Sequence, residues 1–301
     1  MEKICFNQDW VCNGRAVTLP HDAQITEKRR ADVGGSGHGY FPGGVYTYEK
    51  NFTPPAQWEG KRILIEFEGV YKNASVSLNG KEILFHPYGY TGFFAELEGL
   101  KYGEQNTITV VADNSRMPNS RWYSGAGIYR PVWLYVCKRD GLSPECIRIR
   151  TVSTDPAVIR IEAPVKVKAD VNGITGEGTR IELTIPDARL WSAEAPNLYS
   201  AKISAREDDT VEIPFGIRQI TWSNKGLFIN GKETLLRGGC VHHDSGILGA
   251  ATYAEGEERR VRILKENGFN AIRSSHNPAS KALLDACDRL GMYVMDETFD
   301  M

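Results

Sequence analysis

The sequence predicts a mainly β protein: two successive β-sandwiches, then the opening of a parallel α/β sheet. Three observations carry that expectation. Through about the first 220 residues, apolar and polar side chains alternate in short runs, the period of half-buried strands. Asn-Gly pairs separate several runs, and this dipeptide suits a two-residue hairpin because both central residues need positive φ. Beyond Gly226 the period changes, and strand-like runs alternate with helix-like ones.

In order, "RILIEFEG" alternates Ile63, Ile65 and Phe67 with Leu64, Glu66 and Glu68. "ASVSLNGKEILF" sets Ala74, Val76 and Leu78 between serines and turns at Asn79-Gly80, and "NTITVVADN" is a further strand. Many short strands with Gly and Pro between them predict a sandwich or jelly roll over residues 1–141. A second strand-rich unit spans 142–221. "VKVKADVNG" puts Val165, Val167, Ala169 and Val171 on one face, Asn172-Gly173 turns, and "RIELTIP" repeats the alternation. That size and pattern fit a small immunoglobulin-like sandwich.

The third unit is 222–301. "LFINGKE" reads as a hairpin and "TLLRGG" (234–239) as a first apolar strand. "EGEERRVRILKENG" follows as a helix with Val261 and Leu264 three apart and Gly268 to end it. "FNAIRSS" is a strand, "KALLDACDRLG" a helix with Leu283, Cys287 and Leu290 on one stripe, and "MYVMDE" a strand. This is the βαβ grammar of a parallel sheet. In such sheets ligands gather at the carboxyl ends of the strands. Those ends carry His242, His243 and Asp244, then Arg273, Ser274, Ser275, His276 and Asn277, then Asp296 and Glu297. Each has a plainer alternative: a capping histidine, an internal ion pair between Arg273 and a carboxylate, or a helix opening with Pro278 at its first position.

Bulk properties exclude several classes. The chain has 301 residues, 41% of them hydrophobic, and a net charge of -2, which gives no reason to expect nucleic acid or an acidic membrane as partner. No run of about 18 apolar residues could span a bilayer, and no apolar leader opens the sequence, so a cytoplasmic location is expected. The six cysteines form no CxxC pair and are expected as free thiols. The adjacent His242 and His243 lack metal-ligand spacing, and no cofactor or metal is expected.

"FNAIRSSHNPASKALLDACDRLGMYVMDE" resembles the signature of glycoside hydrolase family 2, which includes β-galactosidases, β-glucuronidases and β-mannosidases. "LPHDAQI", "FPGGVYTYEKNF" and "FEGVYKNASVSLNGKEI" resemble its N-terminal sugar-binding jelly roll, and "SGAGIYRPVWL" the element closing it. "LWSAEAPNLY" and "FGIRQI" resemble its immunoglobulin-like domain. The resemblance implies that the last unit is strands one to three of a truncated TIM (β/α)8 barrel. It implies that His242 and His276 contact the non-reducing sugar and that Arg273 lies against the nucleophile. Asp113 in "VADNS" would reach over the site to sugar hydroxyls, chiefly in the β-galactosidase branch; an Asx-turn is its plainer role. Neutral histidine both donates and accepts, which suits hydroxyls, and Trp122 and Tyr123 are available as flat walls for a pyranose.

Retaining glycosidases need two carboxylates roughly 5–5.5 Å apart. The resemblance puts both on later barrel strands, beyond Met301. Asp296 and Glu297 are neighbours on a strand and point to opposite faces. "DETFDM" departs from the pattern that would supply the family's magnesium ligands. The expected function is therefore the N-terminal part of a retaining β-glycosidase, first a β-galactosidase, inactive as this chain alone. A β-glucuronidase or β-mannosidase, or a non-catalytic carbohydrate-binding sandwich, are the alternatives. Three parallel strands without neighbours expose their edges, so the last 75 or so residues are expected to be weakly protected or held by self-association into a homo-oligomer.

Overall fold

The computed structural model describes residues 1–144 and 146–299. The first ten strands are β1 (Glu2–Cys5), β2 (Trp10–Cys12), β3 (Arg15–Val17), β4 (Val45–Phe52), β5 (Arg62–Phe67), β6 (Ala74–Leu78), β7 (Lys81–His86), β8 (Phe93–Glu96), β9 (Asn106–Asp113) and β10 (Val132–Cys137). They form two antiparallel sheets, β1-β10-β5-β8 and β3-β2-β4-β9-β6-β7. Their inner faces share one core that includes Trp10, Tyr48, Ile65, Phe67, Val76, Ile108 and Leu134. This is the jelly-roll sandwich. In β9 the alternation is complete, with Asn106, Ile108, Val110 and Ala112 buried and their neighbours half-buried. At the β6–β7 turn Asn79 has φ 50° and Gly80 φ 82°, the pair of positive values that the dipeptide announces.

Strand β5 departs from the expected half-burial, because Leu64 and Glu66 are buried as fully as Ile63, Ile65 and Phe67. Leu64 lies under Tyr135 and Cys137 on the outer face. Glu66 is 1% exposed, accepts the Tyr135 hydroxyl at 2.9 Å and pairs with Lys281 of the third unit. A polar position on this strand faces another part of the protein, not water.

Strands β11 (Arg148–Thr154), β12 (Ala157–Val171), β13 (Ile174–Thr184), β14 (Tyr199–Arg206) and β15 (Asp209–Phe215) make the immunoglobulin-like unit, ordered β11-β12-β14-β15 with β13 also on β12. β12 pairs β11 along its first half and β14 along its second. Its ladder with β13 shifts between Glu162 and Val167. Pro164, which has no N–H to donate, falls inside that shift. One long strand thus serves both parts of a core built from Ile159, Ile161, Val167, Ala169, Val171 and Ile203.

A meander of β16 (Ile220–Ser223), β17 (Gly226–Ile229) and β18 (Lys232–Glu233) leads into β19 (Gly238–Val241), α1 (Ala254–Glu266), β20 (Ala271–Ser274), α2 (Lys281–Leu290) and β21 (Tyr293–Met295). β19, β20 and β21 are parallel and adjacent in that order. Val261, Leu283, Ala286 and Cys287 of the two helices bury Ile272 and Met292.

Two expectations are corrected here. The first parallel strand starts at Gly238, not at Thr234. Asn270 holds the approach: its Oδ1 accepts Arg237 N at 2.7 Å and its Nδ2 donates to Leu235 O at 3.0 Å. This leaves Leu235 and Leu236 outside the ladder. Helix α2 starts at Lys281 behind Ser280, whose hydroxyl accepts Leu283 N at 3.1 Å, so Pro278 is not its first residue. The Pro278 carbonyl instead accepts Arg130 of the jelly roll at 3.0 Å.

Asp22, 3% exposed, ties the same two units together. Its carboxylate accepts Gln24 N at 3.0 Å, Ala126 N at 3.0 Å, Ala250 N at 2.8 Å and the Tyr123 hydroxyl at 2.6 Å. The loop after β19 is thereby fastened to the jelly roll, and this fixes which side chains meet at the strand ends.

Candidate functional site

The three parallel strands deliver their polar groups to one place. Arg273, near the end of β20, donates from Nε to Glu297 Oε1 at 2.5 Å. His276 Nδ1 lies 3.3 Å from the other oxygen of Glu297. The His242 and His276 rings meet edge to face, with centroids 5.2 Å apart. Asp296 turns away and accepts Ala279 N at 2.9 Å; β21 ends at Met295, so the two acidic residues lie in the loop beyond it and not on the strand as expected. Cys240 Sγ stands 3.5 Å from Arg273. Hydrogen bonds from Ser275 and Arg273 lower the Cys240 pKa.

The jelly roll closes the cluster from the other side. Trp122 lies 5.0 Å from His276 and 6.0 Å from His242, centroid to centroid. Its indole N–H donates to the Tyr90 hydroxyl at 3.0 Å. Tyr71 donates to Asn119 Oδ1 at 3.1 Å, and Tyr88 to Thr298 O at 2.7 Å. Between them lies a cleft of about 210 Å³ whose lining includes Tyr71, Lys72, Tyr90, Trp122, His276 and Phe299. Burial pushes the Tyr71 and Tyr90 hydroxyls above their usual pKa, and they stay neutral donors.

The adjacent histidines divide. His242 faces the cluster, and burial lowers its pKa, which favours the neutral ring. His243 packs edge to face on Tyr90 at 5.1 Å and Tyr129 at 5.8 Å, with Nε2 3.0 Å from Ser124 O. Part of the residue reaches the surface, but Nδ1 is sealed without a partner among the described residues. Loss of hydration therefore lowers its pKa, to about 3.

Of the residues read from sequence, Arg273, His276 and His242 come together. Asp113 is held at the end of β9, where Oδ1 accepts Ser115 N at 2.9 Å and Ser115 Oγ at 2.6 Å, an Asx-turn. Those hydrogen bonds keep its carboxyl below the usual range, and it has no contact with the imidazoles among the described ones. Tyr123 is engaged by Asp22 and packs on Phe41 at 5.6 Å, away from the cleft. Tyr71, Tyr90 and Asn119 were not singled out, since no periodicity marks them; "VYKN" and "YGYTG" are merely aromatic loops until folded.

The arrangement suits a neutral, hydroxyl-rich ligand: flat aromatic walls, two imidazoles and a carboxylate held between Arg273 and His276. Among the described residues no group of three or more His, Cys, Asp or Glu could hold a metal ion.

Two sandwiches are thus followed by a parallel βα unit, and the cleft lies where the jelly roll meets that unit. Residues 148–218 match the profile described as glycosyl hydrolases family 2, and residues 220–300 match the TIM barrel domain of the same family. The chain belongs to glycoside hydrolase family 2. Across 98% of its length it is 38% identical to the β-galactosidase BoGH2A of Bacteroides ovatus, of which it covers 38%. Across 94% it is 34% identical to a putative β-glucuronidase of Formosa agariphila, of which it covers 30%. A solved family member from Bacteroides cellulosilyticus superposes with a TM-score of 0.92 at 32% identity, covering the whole chain and 46% of that structure. The chain thus spans less than half the length of these relatives. The parallel sheet consists of the first three strands of the TIM barrel.

Proposed function

We propose that this chain forms the sugar-binding part of a retaining β-glycosidase that removes terminal β-linked sugars, with a β-galactoside as first substrate. The observation that carries the reading is the meeting of Trp122 from the jelly roll with His242 and His276 from the parallel strands. The indole offers a face for a pyranose and the imidazoles offer a donor and an acceptor for its hydroxyls. Arg273 bound to a carboxylate is a geometry suited to holding a nucleophile ionised.

By itself the chain does not hydrolyse. Among the described residues Glu297 is the single carboxylate in the cluster, it is committed to Arg273 and His276, and a retaining mechanism needs a second one roughly 5–5.5 Å away. The test is turnover of chromogenic β-galactoside, β-glucuronide and β-mannoside by the purified chain, beside sugar binding by Trp122→Ala. No turnover is expected, with galactoside binding weakened at least about tenfold by the substitution. Hydrolysis that disappears in Glu297→Gln would overturn this reading. A second reading, a β-glucuronide, is favoured by Lys72 in the cleft lining, a cation able to meet a sugar carboxylate. Tighter binding of the glucuronide than the galactoside would select it.

A further inference from the structure

Two arginines, Arg130 and Arg260, hold the backbone from which the cleft's rings project. Arg130, 3% exposed, stands just before β10. It donates from one terminal nitrogen to the Tyr90 carbonyl at 2.9 Å and from the other to the Pro278 carbonyl at 3.0 Å. Tyr90 is the residue whose hydroxyl accepts the Trp122 indole N–H, and Pro278 follows His276 by two residues. One planar group therefore joins the jelly-roll wall to the parallel-strand wall. Arg260 of α1 does the same for the third ring. It donates to the His242 carbonyl at 2.7 Å and to the Asp244 carbonyl at 2.8 Å.

The arginines are built in. The Arg130 stem passes Gly69 so closely that a Cβ there would stand 2.8 Å from its Cδ, and its guanidinium carbon lies 5.1 Å from the Tyr129 ring centroid. The Tyr129 hydroxyl in turn donates to the Gly89 carbonyl at 2.9 Å, next to Tyr90. Glu257, 5% exposed in the first turn of α1, sets Oε2 3.6 Å from Arg260 and makes no hydrogen bond through that oxygen among the described residues. Arg130, Arg260, Glu257, His242 and His243 line one gap of about 10 Å³, room for about one water. Burial disfavours the Glu257 carboxylate, and both arginines favour it. A buried charge set of this kind adds little net stability over apolar packing of the same volume. What an apolar side chain lacks is a rigid fork that fixes two carbonyls at one separation.

Resting on the sugar-binding reading above, we propose that Arg130 and Arg260 are positioning residues of the cleft, with Glu257 as the counter-charge they share. Arg130 sets the separation of Trp122 from His276, and Arg260 sets His242 against His276. Neither arginine touches the sugar; each acts through the carbonyls it holds. The rings come from loops far apart in the chain, and two fixed forks lower the cost of ordering them when a ligand binds.

Nuclear Overhauser effects between the selectively labelled rings of Trp122, His242 and His276 test this in the sugar-free 301-residue chain. Wild type is compared with Arg130→Lys and Arg260→Lys. Lysine keeps the charge and a long stem, but one ammonium cannot hold two carbonyls at a fixed separation. Arg130→Lys is expected to weaken the Trp122–His276 contact and leave His242–His276 as it is; Arg260→Lys is expected to do the reverse. Each substitution is also expected to weaken methyl β-galactoside binding at least about tenfold. Ring contacts unchanged in both variants, or weakened alike in both as general loosening would do, would overturn the positioning roles. The Arg260 side chain is 19% exposed, so its variant keeps the fold and decides the proposal even where Arg130→Lys does not fold. The reciprocal pattern without galactoside binding in wild type, or with equal binding in all three proteins, would leave the positioning roles standing and overturn the sugar-binding reading.

Discussion

At the scale of single residues, His243 shows how one neighbour of a pair is packed away while the other joins the cluster at the strand ends. His242 and His243 are adjacent in sequence, yet His243 is enclosed by Tyr90 and Tyr129 and lies with Nε2 on a carbonyl. Its folded pKa of about 3 lies below the ordinary value of 6.5. The unfolded state therefore binds the proton more readily, and stability rises with pH. The contribution is complete above pH 6.5 and is lost as pH falls from 6.5 towards 3. At pH 5 the loss is about 2 kcal/mol. Urea midpoints at pH 7 and pH 5 should differ by that amount in wild type and by much less in His243→Gln; equal pH slopes in the two proteins would show that His243 is not the buried titrating group. Arg273, His276 and His242 were legible in sequence because parallel strands always present their carboxyl ends on one side. Trp122 was legible only as an aromatic residue. Its partners are far along the chain, and nothing local to Trp122 says that Asp22 will pin the jelly roll where the two meet.

At the scale of elements, local chemistry was readable and long-range register was not. The hairpins at Asn79-Gly80, Asn172-Gly173 and Asn230-Gly231 form because those residues adopt the positive φ that such turns demand. Helices α1 and α2 stop near Gly268 and Gly291 for the related reason that the left-handed conformation costs glycine least. The start of β19 was misread because Asn270, more than thirty residues on, sets it. Gly291 joins both kinds of constraint. It has φ 79°, and a Cβ there would run into the carbonyl oxygen of Ala193 in the immunoglobulin-like unit. Around it Lys265 donates to the Ala193 and Gly291 carbonyls, and Trp191 donates to Asp288 O at 2.8 Å. Gly291→Ala should therefore cost more than the ~1 kcal/mol of a strained helix end, about 2 kcal/mol or more, since an interface must also open. Chemical denaturation measures it, and Gly268→Ala is the comparison: its φ is 82° but nothing lies within 4 Å of an added Cβ. Equal losses at the two glycines would show that the Ala193 contact carries no weight.

At the scale of the whole molecule, the sandwiches and the parallel unit are stabilised unequally. Each sandwich buries its inner faces against itself, with Trp10, Tyr48 and Ile159 fully enclosed. The parallel sheet has helices on one face only. Beside α2, along the β21 edge, Ile220, Trp222, Leu236 and Met295 border an apolar hollow of about 520 Å³ whose lining also includes Leu284 and Cys287, and Trp222 is 78% exposed. β19 and β21 each present an edge without a strand partner among the described residues. Against this stand the ties made to the jelly roll by Asp22, Arg130 and Glu66, and to the immunoglobulin-like unit by Trp191. Such ties anchor the strand ends and leave the hollow along the β21 edge open to water. Amide exchange should therefore be faster in β19, β20 and β21 than in β9 and β10, by at least about tenfold, a difference of ~1.4 kcal/mol in opening free energy. Raising the protein concentration should slow exchange in the parallel strands alone, because association would cover the exposed hollow and leave the sandwich cores as they are. Protection in β20 equal to that in β9 at every concentration would mean that two helices and the ties to the neighbouring units are enough to hold three parallel strands.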